Sequence, residues 1–296
     1  MKRTPHLLLG LLWIALAVPS LANPVTVKLL TAKEMGTYHQ IGKDIKDLLL
    51  PADINVTLVP SLGSFTNVLT IAANPDIHLG FAQTDVLTSP LVQGKLKILL
   101  PLYKEEIHLL ATDNIKQLAD LNGKKVSLGI GGSGTFSATT ALLEPLKIPV
   151  EQVYLQEEQA LAALRKGEIE AMFYVIGYPA KLLMEQVKPE DKLHLIPIKV
   201  KADEKIFVSS VIPAQTYGWQ PEAVETVAVT ATLVTHAYSA KDPRCELVGR
   251  VAKEIYSKLD VLKKNGHDKW DKVAFDQEAL SIDESISPCT FKQLSK

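Results

Sequence analysis

Apolar residues fall into short runs separated by polar turns along most of the chain, and the period of each run assigns its element. Val25 to Leu30 alternates with the two-residue period of a strand, Thr31 to His39 makes a polar turn, and Gln40 to Leu50 carries helical spacing. Ile54 to Val59 predicts a second strand, followed by Pro60-Ser-Leu-Gly-Ser64 and a helix over Phe65 to Ala73. Asp76 to Ala82 predicts a third strand, closed by Gln83-Thr84-Asp85 before another helix. Three strand, loop and helix units in a row predict parallel α/β topology.

Lys97 to Thr112 holds two apolar strand-like runs around Leu102-Tyr-Lys-Glu-Glu106, after which the pattern restarts with a polar helix over Ile115 to Leu121 and a turn at Asn122-Gly123. The restart predicts a second lobe: strands over Lys125 to Ile130, Gln152 to Leu155 and Ala171 to Val175, with helices over Phe136 to Leu146 and Glu158 to Arg165 between them. Beyond the charged linker Lys201-Ala-Asp-Glu-Lys205, Ile206 to Ile212 reads as a strand returning to the first lobe, followed by Val224 to Thr235 and a helix from Cys245 to Leu262. The resulting division is 1–22 as a leader, 23–109 with 206–296 as one lobe, and 110–205 as the other. Open α/β sheets bind ligands beyond the carboxyl ends of their strands, and two lobes crossed by two connecting strands form a hinge that can close on a solute.

Composition narrows the function classes. Lys2 and Arg3, the uncharged run Leu7 to Val18, and the small residues Ser20 and Ala22 read as a secretory signal cleaved after Ala22, which implies a periplasmic protein. The chain has 32 Lys plus Arg against 33 Asp plus Glu, and removal of the leader leaves a net charge of about −3, with nothing resembling a nucleic-acid footprint. Cys245 and Cys289 are the only cysteines, and an even count in an exported chain favours a disulfide over two buried thiols. Zinc-ligand spacing is absent, so no metal or cofactor is expected.

Candidate chemistry centres on Val126-Ser-Leu-Gly-Ile-Gly-Gly-Ser-Gly-Thr135. A strand that breaks into glycines and hydroxyls and then starts a helix aims backbone N–H groups at one point, as an anion requires. Ser133, Gly134 and Thr135 also suit a plain helix cap. Gly129, Gly131 and Gly134 satisfy the dinucleotide spacing Gly-x-Gly-x-x-Gly, but they fall mid-chain in an exported protein, and only Glu151 could be stretched to the acidic role. Ser133 as a nucleophile defines the rival class, an exported hydrolase, although the last glycine of Gly-x-Ser-x-Gly is missing and neither His39 nor His108 is tied to it by sequence. Gln83 could present its amide to the cleft, and Tyr38 and Tyr174 are core or cleft-wall aromatics. Lys33-Glu34 reads as a solvated pair. Arg165, Arg244 and Arg250 lie outside the loops, so no guanidinium clamp is evident.

These stretches resemble the TAXI solute receptors of tripartite ATP-independent periplasmic (TRAP) transporters. Gly36-Thr-Tyr38, Gly63-Ser-Phe-Thr-Asn67, Leu79-Gly-Phe-Ala-Gln-Thr-Asp-Val86 and Gly132-Ser-Gly-Thr135 follow the family's loops in order, as do Ala160 to Gly167, Met172-Phe-Tyr174, Gly177-Tyr-Pro179 and Gly266-His-Asp-Lys-Trp270. Met35, Thr84, Tyr178 and Ala180 depart from the pattern, which bears on the ligand more than on the fold. The resemblance implies a type II periplasmic-binding-protein fold and a non-enzymatic receptor that captures a small carboxylate-bearing solute, an organic acid, dicarboxylate or acidic amino acid such as glutamate, for a TRAP permease. A receptor for an ATP-driven importer or a sensor kinase is the same-class alternative. Loop position and resemblance together nominate Thr37, Tyr38, Ser64, Asn67, Gln83 and Thr84 from one lobe, and Ser133, Gly134, Thr135 and Gly177 from the other.

Overall fold

The computed structural model describes residues 25–34, 36–199, 206–276, 280 and 283–294. The expected leader and its cleavage site, Met35 and the linker 201–205 lie outside the described residues. Strands β1 (Val25–Leu30), β2 (Ile54–Val59) and β3 (Leu79–Gln83) form a parallel group in the order β2-β1-β3. Strands β5 (Lys125–Ser127), β6 (Glu151–Val153) and β7 (Ala171–Ile176) form a second parallel group in the order β7-β5-β6. Between them run two long strands, β4 (Leu96–Thr112) and β10 (Val224–His236), paired antiparallel. Short strands β8 (Leu193–Leu195) and β9 (Val208–Ile212) add to β4 and β10 respectively.

The polarity of these pairings places the site. β10 runs antiparallel to both β3 and β4, so β3 and β4 point the same way; β7 is antiparallel to β4 and points back. β3 therefore ends at Gln83, level with Ala231, while β7 ends at Ile176, paired with Glu106. The carboxyl ends of the two parallel groups thus converge on the middle of β4. At about 3.4 Å per residue the 17 residues of β4 extend roughly 58 Å, enough to serve both groups.

Sequence and structure differ where polar residues interrupt an apolar pattern. The two runs expected within 97–112 are one strand, because Glu105 and Glu106 interrupt the hydrophobicity without interrupting the ladder. The third strand starts at Leu79 instead of Asp76, after a turn in which Asn74 Oδ1 accepts the Asp76 N–H at 3.0 Å. Only Leu118–Leu121 of the helix expected at 115–121 is helical, as a 3-10 turn, since the Asp120 carboxylate draws in the N–H groups of Lys116 and Gln117. The single helix expected from Cys245 to Leu262 is two, Pro243–Ser257 and Leu259–Asn265, broken at Lys258, whose φ and ψ are −113° and 22°.

Apolar packing falls into several clusters, of which two are the largest. Val27, Leu29, Ile41, Phe81 and Tyr103 pack with Leu233, Val248 and Trp270 on one side. Ile107, Leu109, Val126, Phe173, Phe207, Val227 and Val229 pack on the other. Cys245 and Cys289 are fully buried in the first region and form a disulfide with Cα atoms 5.0 Å apart, joining the 243–257 helix to the C-terminal helix Pro288–Leu294. Gly249 lets these helices touch, since a Cβ there would meet the Cys289 carbonyl oxygen at 2.5 Å.

The bridge closes a loop of sequence separation 44, for which the chain-entropy model gives about 4 kcal/mol. Replacing both cysteines by alanine is expected to lower the urea midpoint by an amount equivalent to about 2–4 kcal/mol, measured by circular dichroism. An unchanged midpoint would show that the cross-link does not constrain the unfolded chain.

Candidate functional site

A cavity of about 200 Å³ lies where the two strand groups converge, a volume shared by roughly seven liquid waters at about 30 Å³ each. It therefore suits a small solute. The first residues of four helices line it: Gly36, Thr37 and Tyr38 at α1 (Thr37–Leu49), Gly63 and Ser64 at α2 (Ser64–Ala73), Ser133 to Thr135 at α4 (Gly134–Leu146), and Glu157 and Glu158 at α5 (Glu157–Arg165). A helix N-terminus carries unpaired N–H groups and about half a positive charge. α5 meets this with Glu157 and Glu158 in its own first turn, whereas α1, α2 and α4 have no acidic residue there, and α1 and α2 have no side-chain cap. Three helix ends are thus left to attract an anion.

The glycine loop adopts its shape for local reasons. Gly129 and Gly132 have φ of 86° and 87°, a region that favours glycine, and Ser133 then caps α4 by accepting the Phe136 N–H at 3.1 Å. The same hydroxyl donates to the Ile130 carbonyl at 2.8 Å, and Thr135 Oγ1 accepts the Val175 N–H at 3.2 Å. The Ser133 hydroxyl is thus used within the loop, which leaves the Gly134 and Thr135 amides and the Thr135 O–H as anion donors. His39 is bonded to Thr31 and His108 to Tyr217 and the Glu106 carbonyl, so neither imidazole is paired with Ser133.

Contacts join the loops on either side of the cavity. Thr66 N–H and its hydroxyl both donate to the Gly132 carbonyl at 3.2 Å, and a Cβ on Gly134 would collide with the Gln83 carboxamide. At the rim, Lys33 donates to Glu157 at 3.0 Å and to Gln156 at 3.1 Å, so it is a bridge across the cleft instead of the solvated residue expected from the sequence.

On the cavity floor lies Glu105, only 5% exposed. Its Oε2 accepts from Gln83 Nε2 at 2.5 Å and from the Tyr38 hydroxyl at 3.2 Å, and Tyr38 is braced by Ser64 Oγ at 3.3 Å and stacked on Phe81. Burial pushes Glu105 up to about 7, against the pull of Gln83, Tyr38 and Lys269. Burial likewise raises Asp85 to about 6, opposed by the Ser137 hydroxyl of α4.

Of the nominated residues, Thr37, Tyr38, Ser64, Gln83, Ser133, Gly134 and Thr135 line this one cavity, as does Tyr174. Three do not. Asn67 is fully buried and donates to the carbonyls of Thr31 and Phe81 at 2.7 and 2.8 Å. Thr84 Oγ1 accepts from the Thr230 N–H at 3.2 Å, and the Gly177 carbonyl accepts from Lys269 Nζ at 2.5 Å. Glu105 and Glu157 were missed, and the signal for Glu105 was two adjacent carboxylates inside an apolar strand, an arrangement that packing alone does not favour. Among the described residues no cluster of three metal-ligating side chains occurs, and no helix is long and apolar enough to cross a membrane.

Comparison with known proteins agrees with this architecture. The family model described as the NMT1-like family matches residues 29–285, and the chain belongs to that family. A structure concerning glutathione import via GshT and the cystine ABC importer TcyBC of Streptococcus mutans is similar at 13% identity and TM-score 0.55, covering 86% of this chain and 98% of that one. XAC2383 from Xanthomonas citri bound to ATP is similar at 10% identity and TM-score 0.54, covering 92% and 98%. The effector-binding domain of QuiR in complex with shikimate matches at 12% identity and TM-score 0.50, covering 82% and 99%. The fold is the periplasmic-binding-protein fold.

The buried Glu105 generates a pH signature. Its folded-state pKa of about 7 lies above the ordinary 4.5, so the stability it contributes is full below about pH 4.5 and is lost as pH rises through about 7. Lys269, lowered to about 8, stays protonated in both states below that range. His108, lowered to about 4, gives a slope of opposite sign between pH 4 and 6.5, so the comparison requires a variant. Relative to the wild type, Glu105→Gln is expected to gain on the order of 3 kcal/mol between pH 4.5 and 8, read from denaturant midpoints across pH. A difference that stays constant with pH would contradict a raised pKa.

Proposed function

We propose that this member of the NMT1-like family is a periplasmic receptor that closes on a small carboxylate-bearing solute and delivers it to a TRAP permease. One observation carries the reading of the ligand: three helix N-termini, none served by an acidic residue of its own, converge on one cavity. The carboxylate would take the amides of Gly134 and Thr135 and those at the starts of α1 and α2. Thr37, Tyr38, Ser64, Gln83 and Ser133 would shape and orient the pocket, with Asn67, Thr84 and Gly177 holding the loops from behind. The lobes are proposed to divide where the apolar packing changes hands, between Tyr103 and Ile107 on β4 and between Val229 and Ala231 on β10. The resemblance of the Gly-Thr-Tyr, Gly-Ser-x-x-Asn and Gly-Ser-Gly-Thr loops to TAXI receptors supports the TRAP partner, and the leader Met1 to Ala22 supports the periplasmic location.

A thermal-shift screen with monocarboxylates, dicarboxylates, keto acids and amino acids tests the ligand class, because a solute that binds only the folded protein adds ~2.7 kcal/mol at a hundredfold excess over Kd. Gly134→Val is expected to weaken binding of any hit by at least tenfold in calorimetry with its far-ultraviolet dichroism unchanged, since the side chain would strike the Gln83 carboxamide that borders the cavity. Undiminished affinity in that variant would place the ligand elsewhere. Uptake into vesicles bearing a TRAP permease, driven by an ion gradient without ATP, tests the partner; uptake obtained only with an ATP-hydrolysing importer would replace it.

A further inference from the structure

Among the charged side chains lining the cavity, acids prevail: Glu105, Glu157 and Glu158 against Lys33. Lys33 is already bound to Glu157. A solute with a carboxylate at each end would place one among the helix N-termini and the other against carboxylates. The floor asks for a cation. The hydrogen bonds from Tyr38 and Gln83 both fall on Oε2, and the residue borders the cavity, which gives a solute an approach to the carboxyl. Its carboxyl is also held in place, by Gln83 and by a Tyr38 that Ser64 and Phe81 fix in turn.

We propose that Glu105 is the residue that selects for a protonated amine, so that the receptor takes small molecules carrying both a carboxylate and a primary amine and discriminates against acids that lack the amine. This rests on, and narrows, the carboxylate reading above. The spacing supports it. The Gln83 carboxamide donates to Glu105 through Nε2, while Gly134 at the start of α4 abuts the same carboxamide. The acidic floor and the helix start that offers amides to an anion are therefore neighbours, both in contact with Gln83 and both lining the same cavity.

The groups facing Glu105 do not supply that cation themselves. Tyr38 on α1, Asp85 at the start of the short helix Thr84–Leu87, Tyr103 on the same strand and Tyr174 on β7 are neutral or acidic. Lys269, on the 3-10 helix Asp268–Lys272, also acts on Glu105, but its Nζ donates to the carbonyls of Gly177 and Tyr178, both at 2.5 Å. A ligand ammonium at Glu105 would favour its ionised form and expel the proton it holds near neutrality, whereas a second ligand carboxylate would make it take a proton up. The sign of proton exchange on binding thus separates the two.

The test is calorimetry of the leaderless protein at pH 7, in buffers of different ionisation enthalpy, with α-amino acids, their 2-oxo and deamino counterparts, and their decarboxylated amines. The expected result is an amino acid bound at least tenfold more tightly than its deamino counterpart, with protons released, and a ratio that falls towards one in Glu105→Gln. Amine-free acids bound as tightly as amino acids, or proton uptake by the wild type, would overturn the role of Glu105 and leave the carboxylate reading standing. Decarboxylated amines bound as tightly as amino acids would support Glu105 and overturn the carboxylate reading. No binding by any of the four classes would overturn both. The proton measurement is made on the wild type, so the proposal stays testable if the variant does not fold.

Discussion

Strand polarity is the constraint on which the rest depends. Two parallel groups share one long strand, β4, but β3 runs with it and β7 against it, so their carboxyl ends meet at its centre. In each group the helices begin where the strands end. Convergence of strand ends is therefore convergence of helix N-termini, and the anion-attracting field at the cavity follows from the order of pairing in the sheet more than from any individual side chain.

Much of this was legible along the chain because the signals are local. Alternating runs located β1 and β2 to the residue, and the glycine and hydroxyl loops marked the starts of α2 and α4. The even cysteine count predicted the Cys245–Cys289 bridge that the structure contains. Less legible were features decided by partners distant in sequence. Lys33 looked like any exposed lysine until Glu157, 124 positions away, came within 3.0 Å. Asn67 and Thr84 sit in loops that face the cleft, yet their side chains are taken by backbone groups, and a motif does not reveal which of two possible partners a polar side chain will find. Glu105 carried a signal, as a carboxylate inside an apolar strand, but its orientation depends on a register that only the folded sheet supplies.

The electrostatics of the site are balanced between two opposing sources. Helix ends make its walls attractive to negative charge, while Glu105 and Asp85 resist full ionisation because burial removes their water. A cavity with such poles does not suit a uniformly charged guest. A solute that pairs with both poles would offset the desolvation of the buried carboxylates, so recognition would act through the same few groups.

Behind the cleft, alternation along β4 puts Lys104 and Glu106 on the face opposite Glu105, where they border a second hollow with Tyr178, Ser210, Lys269 and Lys272. Lys269 belongs to a segment anchored on the first lobe, since the neighbouring Trp270 indole donates to Asp44 of α1 at 2.8 Å, yet its ammonium grips two carbonyls at the end of β7. A single nitrogen holding two oxygens acts as a pivot pin. Were the two sides of the cavity to move as proposed, they would turn about it with both bonds kept, whereas sliding would break them. Residues remote from the cavity in sequence would then help decide the direction in which a receptor of this form opens.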